Sequence, residues 1–266
     1  MRRSVSCRLD LVVDDPARLI FLVAVAHGRH RLTDRLDVTR DGRPLSVTEL
    51  GGPHGTRIHL LESGPGPVRL EYRATVDGLD DPAPVDPVDL VTYLRPSRYA
   101  ESDAMVGLAA AELGHLGGVE LLEAVGRWVA SHLVYVPGSS GPNDGASRTV
   151  LAGQGVCRDY AHVTVALLRA LDVPARLVSV YAPGLQPMDF HAVAEAFVDG
   201  TWRLVDATHL APRGSLVRIA TGRDAADTAF LSSYHGGVTL LSQDITAVVE
   251  DGDLPHDDWT QLTSLR

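Results

Sequence analysis

The stretch FHAVAEAFVDGTWRLVDAT, residues 190–208, holds two strand-like runs on either side of Asp199-Gly200. Asp-Gly between such runs signals a β-hairpin, because a two-residue turn of the right twist needs positive φ at both central positions. With these two residues as the turn, Val198 faces Thr201 and Val193 faces Asp206. His191 lies two residues from Val193, so its side chain emerges on the face of Asp206, since strand side chains alternate with period two. The diagonal Cβ separation is roughly 7 Å, and sheet twist brings an imidazole and a carboxylate together across such a gap. A three-residue loop would put them on opposite faces. So oriented, the carboxylate fixes one imidazole tautomer and leaves the other nitrogen to move a proton.

Working outward, residues 155–171, GVCRDYAHVTVALLRAL, carry Tyr160, Val163, Thr164, Leu167, Leu168 and Leu171 at helical spacing. The pattern predicts one helix, stopped before Pro174. Cys157 stands at its start, where unpaired backbone N–H groups and the helix dipole favour a thiolate, and a neighbouring imidazolium favours it further. The same N–H groups, that of Cys157 included, suit a tetrahedral oxyanion. Further upstream, Leu121, Leu122, Val125, Trp128, Val129 and Leu133 form another apolar helical face. A Gly-Ser-Pro loop over 137–147 follows, with Ser147 expected to cap a short helix ending near Gly153. With the run ARLVSVYA before the hairpin, this half reads as α+β, a helix preceding an antiparallel sheet.

From residue 4 to about 76 the pattern changes to short alternating segments such as SCRLDLVV and PVRLEYRATV, punctuated by Asp-Pro, Asp-Gly and Gly-Pro-Gly. These predict an antiparallel β-sandwich or sheet. Residues 77–90, DGLDDPAPVDPVDL, have linker composition. The expected division is an N-terminal β domain over 1–80, a linker over 81–91 and a second domain over 92–266. A chain of 266 residues with 45% hydrophobic and 22% charged residues can bury a sizeable core. A net charge of −10 without a basic stripe disfavours nucleic acid as a partner. Asp10, Asp14 and Asp15 interrupt any signal-peptide core, and Leu19–Ala26 is too short to span a bilayer, so a cytoplasmic, non-membrane protein is expected. Cys7 and Cys157 lie at opposite ends of the chain, which disfavours a disulfide and excludes a cysteine zinc knuckle.

Residues 155–184, GVCRDYAHVTVALLRALDVPARLVSVYAPG, and 189–208, DFHAVAEAFVDGTWRLVDAT, with YLRPSRYAE, LVRIATGRDAADTAF and HGGVTL in support, are similar to bacterial transglutaminase-like proteins of the papain-like cysteine-enzyme superfamily. The resemblance spans about residues 92–240 and extends to the β-rich region before it. It implies a papain-like, transglutaminase-like core with Cys157, His191 and Asp206 as catalytic triad, the three residues that helix and hairpin select independently. It also implies attack by the Cys157 thiolate on an amide or ester carbonyl of a protein or peptide-like substrate, and a thioester acyl-enzyme resolved by an amine or by water. The mechanism calls for no metal or organic cofactor. Where the family usually reads Asp-Pro-Thr, this chain has Asp206-Ala207-Thr208. Gln154 becomes an oxyanion candidate by analogy with related enzymes, and Tyr135 and Asp159 become cleft candidates.

Each residue also has a plainer reading. A lone cysteine beside an apolar helix is by default a packing residue. His162 packs or bonds locally rather than binding metal with Cys157. Arg158 and Asp159 would form local helix-start contacts, Glu195 a structural hydrogen bond, and Trp202 a cross-strand pair with Phe197; Cys7 is structural. The rival functions are a cysteine peptidase or amidase that uses water, amide formation from a carrier-bound thioester, and a noncatalytic binding module that keeps the fold.

Overall fold

A computed structural model describes residues 1–259 and 261–266. The alternating N-terminal segments fold as β1 (Arg2–Val13), β2 (Ala17–Phe21), β3 (Arg31–Arg40), β4 (Arg43–Pro44), β5 (Thr48–Gly51), β6 (Arg57–Ser63) and β7 (Gly66–Asp77). The middle of the chain is helical, with α1 (Pro87–Thr92), α2 (Ser102–Leu113), α3 (Gly118–His132), α4 (Ala146–Ala152) and α5 (Cys157–Ala170). Two short strands, β8 (Val134–Tyr135) and β9 (Gln154–Gly155), flank α4. Then come β10 (Ala175–Tyr181), β11 (Phe190–Val198), β12 (Thr201–Val205), β13 (Val217–Gly222), α6 (Ala225–Thr228), β14 (Leu231–Tyr234) and β15 (Val238–Val249).

The expected α+β class holds, and two sheets, β15-β1-β7-β3-β4 and β14-β2-β6-β5, form the sandwich. The boundary at residue 80 does not follow the hydrogen bonding. β15 pairs along the whole of β1, and β14 pairs with β2, so the C-terminal strands complete the N-terminal sandwich. Sequence contiguity hid this, because a strand's partner is set by the face it must bury rather than by its place in the chain. The linker, too, is partly ordered: Asp86 caps α1, its side chain accepting the Val88 N–H at 2.9 Å. Among the described residues no single helix is long and apolar enough to cross a membrane.

A third sheet, β12-β11-β10-β13, carries α5 on one face. Tyr160, Val163 and Leu167 of α5 pack with Ala194, Ala196 and Val198 of β11 in the core that also takes in α2 and α3. Tyr181, Val217 and Ile219 join the sandwich core, so the two halves share buried apolar surface.

Candidate active site

The hairpin forms in the register that Asp199-Gly200 dictates. Both turn residues have positive φ, 51° and 76°, and the pairs run from Val198↔Thr201 to Ala194↔Val205. β12 ends at Val205, so the first residues of β11 extend past their partner, and His191 and Asp206 meet in that gap. Both are buried, with His191 Nε2 donating to Asp206 Oδ2 at 2.7 Å. The other carboxylate oxygen, Oδ1, accepts the Thr208 N–H at 2.9 Å and the Thr208 hydroxyl at 2.6 Å. This aspartate-centred turn holds the acid through residue 208, so the departure from Asp-Pro-Thr at Ala207 leaves the carboxylate in place.

Burial alone would lower the pKa of His191. The charge and hydrogen bond of Asp206, together with the Cys157 sulfur, outweigh it and push the imidazole up to about 10. Burial raises Asp206, but His191 and Thr208 hold it below the usual carboxylate range. Nδ1 of His191 is buried and has no hydrogen-bond partner among the described residues.

Cys157 is half-buried at the first position of α5. Asp159 locks that helix start, its Oδ2 accepting the Val156 N–H at 2.8 Å and its Oδ1 the Ser140 hydroxyl at 2.8 Å. Arg158 binds the same loop through Ser140 Oγ and the Gly141 carbonyl, at 2.6 and 2.8 Å. A Cβ on Gly155 would lie 2.7 Å from that of Asp159, so this close approach requires glycine. Asp159 is therefore no cleft residue: it is fully buried and both its oxygens are engaged. Ser147 is not a cap either. Gly145 is the N-cap of α4, and Glu101 Oε2 accepts the Ala146 N–H at 2.8 Å, a long-range cap with no local sequence signal.

The parallel pairing of β8 and β9 sets Tyr135 opposite Gly155 and so near Cys157. Burial and then the Cys157 charge push its phenol up to about 12, against the opposing effect of the Cys157 N–H. Tyr135 thus keeps its proton at neutral pH. Gln154 is exposed on β9, and its side chain has no hydrogen-bond partner among the described residues.

The plainer readings account for other residues. His162 is buried, stacks on Tyr99, and accepts the Ala225 N–H at 3.1 Å; burial pushes it down to about 3, so it is neutral. Glu195 is buried between Arg176 and Arg218. Trp202 sits opposite Phe197, with the Arg176 guanidinium 3.9 Å from its ring. Cys7 lies in the sandwich core, where burial pushes its thiol up to about 12. Thr208 and Ser140 escaped the sequence reading. Thr208 carried a signal, a hydrogen-bonding residue two positions after an aspartate.

The model of the Transglutaminase-like superfamily matches residues 109–207, from α2 through β12, a span that holds Cys157, His191 and Asp206. The solved structure of a "Putative Cysteine Protease" from Cytophaga hutchinsonii is similar over nearly the whole chain. It shares 32% identity at a TM-score of 0.89, covering 98% of this chain and 96% of that one. The chain belongs to the transglutaminase-like superfamily. An uncharacterised Mycobacterium leprae protein, ML0607, is 27% identical over 224 residues, 79% of this transglutaminase-like chain and 78% of its own. The periplasmic domain of TgpA from Pseudomonas aeruginosa aligns at 19% identity and a TM-score of 0.42, over 74% of this chain and 88% of that one.

Proposed function

We propose that this transglutaminase-like protein is a thiol-dependent acyl-transfer enzyme acting on amide or thioester carbonyls through Cys157, His191 and Asp206. The observation that carries the reading is the buried His191–Asp206 pair, with Nδ1 uncommitted and the Cys157 sulfur acting on the same ring. Asp206 holds the proton on Nε2 and stabilises the imidazolium, which in turn favours the Cys157 thiolate.

The thiolate attacks the carbonyl carbon, a C–S bond forms, and the oxygen takes the negative charge. We assign the Cys157 N–H and the protonated Tyr135 hydroxyl as its donors; a single such donor contributes about 100- to 1,000-fold in kcat. The Nδ1 proton passes to the leaving nitrogen, the C–N bond breaks, and a thioester remains on Cys157. His191 then takes a proton from the acceptor as it attacks the thioester, and the thiolate is released.

Water and a primary amine are both competent acceptors. The sequence contains no lysine, so apart from its N-terminus this chain offers an amine-transfer reaction no acceptor of its own. Tyr135 is 38% exposed and Gln154 also lies open, an accessible rim that favours hydrolysis as the second reading.

Incubation with a glutamine-containing peptide library, with and without a primary amine, tests the proposal by mass spectrometry. The expected outcome is a thioester adduct on Cys157 and a processed peptide, both lost in Cys157→Ser. Amine incorporation identifies transfer and cleavage identifies hydrolysis. Neither adduct nor product across the library would favour the noncatalytic module instead.

A further inference from the structure

Asp189 stands two residues ahead of His191, where the chain enters β11. In an extended run, residues two apart project to the same side at a spacing of roughly 7 Å. Asp189 is exposed, yet its carboxylate is held: Oδ1 accepts the Phe190 N–H at 2.7 Å and the Gln243 side-chain amide at 3.0 Å. Gln243 belongs to β15, so the sandwich reaches across to fix a side chain beside the catalytic strand. Both bonds fall on one oxygen, and no arginine among the described residues pairs with the carboxylate. The carboxylate is thus fixed in position without an ion-pair partner among the described residues, whereas the buried carboxylates of Glu195 and Asp206 have cationic partners.

Asp189 is also near the reacting groups. Its charge acts on Tyr135, the same phenol on which Cys157 acts, and the charge of His191 acts on Asp189 in turn. Partial desolvation raises the carboxyl, against the Phe190 N–H and His191, which lower it.

We infer that Asp189, held by Gln243, is a specificity determinant of the cleft that selects substrates carrying a cationic group beside the reacting carbonyl. The inference rests on the proposed role of Cys157 as nucleophile, and it gives the sandwich a part in recognition through β15. A carboxylate fixed before binding attracts a cation without losing side-chain entropy on contact, and it repels an anion at the same place.

Charged thiol reagents test this on the intact chain. Cys157 is treated with the cationic trimethylammonioethyl, the anionic sulfonatoethyl and the neutral methyl methanethiosulfonates, and modification is followed by intact mass; Cys157→Ser reports any reaction at buried Cys7. For a reagent charge held roughly 7 Å from Asp189, loss of the unit charge in Asp189→Asn should lower the cation-to-anion rate ratio about fivefold or more. Asp189→Glu should retain it. Asp244→Asn, which removes an exposed carboxylate next to Gln243 on the opposite face of β15, should leave the ratio within about twofold of the parent. A ratio unchanged in Asp189→Asn, or lowered as far by Asp244→Asn, overturns the inference. His191→Ala separates it from the underlying reading: if that change leaves the neutral reagent's rate as it was, the activated nucleophile fails whatever the charged reagents show.

Discussion

At the scale of single residues, Asp206 sets both the orientation and the charge of His191. One oxygen holds His191 and the other is held by Thr208, so the carboxylate is fixed in direction as well as charge. Asp206→Asn should keep much of this geometry and remove the charge, so the pKa of His191, pushed up to about 10 in the native chain, should fall; histidine ring shifts in NMR read this directly. The sign for stability follows from both partners. A raised His191 contributes fully below its unfolded value near 6.5 and loses that contribution as pH rises towards about 10; a lowered Asp206 contributes fully above its unfolded value near 4 and loses that contribution as pH falls through its lower folded value. The stability advantage of the native chain over Asp206→Asn should therefore be largest between about pH 4 and 6.5 and decline on either side, as urea titrations at several pH values would show. Cys157, His191 and Asp206 were legible because short-range rules govern them: a helix start, a strand alternation, a two-residue turn. For Asp159 the sequence offered both a cleft role and a helix-start contact; the contact with Val156 was legible, whereas its second partner, Ser140, lies in a loop whose path no local rule fixes.

At the scale of elements, the β11–β12 hairpin and the start of α5 position the site. Inserting one glycine after Gly200 lengthens the turn to three residues and should move His191 and Asp206 to opposite faces. Iodoacetamide labelling of Cys157 near neutral pH should then drop to the level of His191→Ala, while far-UV circular dichroism stays close to native. Native labelling in the insertion variant would mean that the register does not set the pair. Glu195 lies on the His191 face of β11 by alternation, and there it ties three strands and α1: Arg176 of β10 bonds both Glu195 and Asp89, and Arg218 of β13 bonds Glu195. Glu195→Gln leaves the buried Arg176 and the half-buried Arg218 short of an anion and should cost about 3–5 kcal/mol, measurable by urea unfolding. The sequence marked Glu195 as facing the site but not as paired, because both arginines come from strands whose neighbours it did not specify.

At the scale of the whole molecule, the sandwich and the half that carries the candidate site are interlocked rather than strung in series. β15 supplies the edge of one sheet and β14 the edge of the other, and apolar residues of β10 and β13 enter the sandwich core. A chain ending at residue 230 should consequently leave β1 and β2 unpaired along one side and lose cooperative unfolding, seen as a broadened thermal transition and dye-binding apolar surface. A sharp native-like transition would mean that the N-terminal strands fold independently. The order of elements was readable from period and turn chemistry; the return of residues 231–249 to the first sheets was not, since alternation marks a strand without naming its partner.

In the proposed reaction His191, charged through Asp206, activates Cys157. The most direct test is the rate of Cys157 alkylation by iodoacetamide from pH 5 to 9, read by intact mass in the native chain and in His191→Ala. A free thiol, with pKa about 8.5, loses roughly tenfold in rate per pH unit below that value. The native chain should stay reactive well below pH 7, and His191→Ala should fall back to the free-thiol profile. A native profile that already follows the free thiol, unchanged by His191→Ala, would contradict the account.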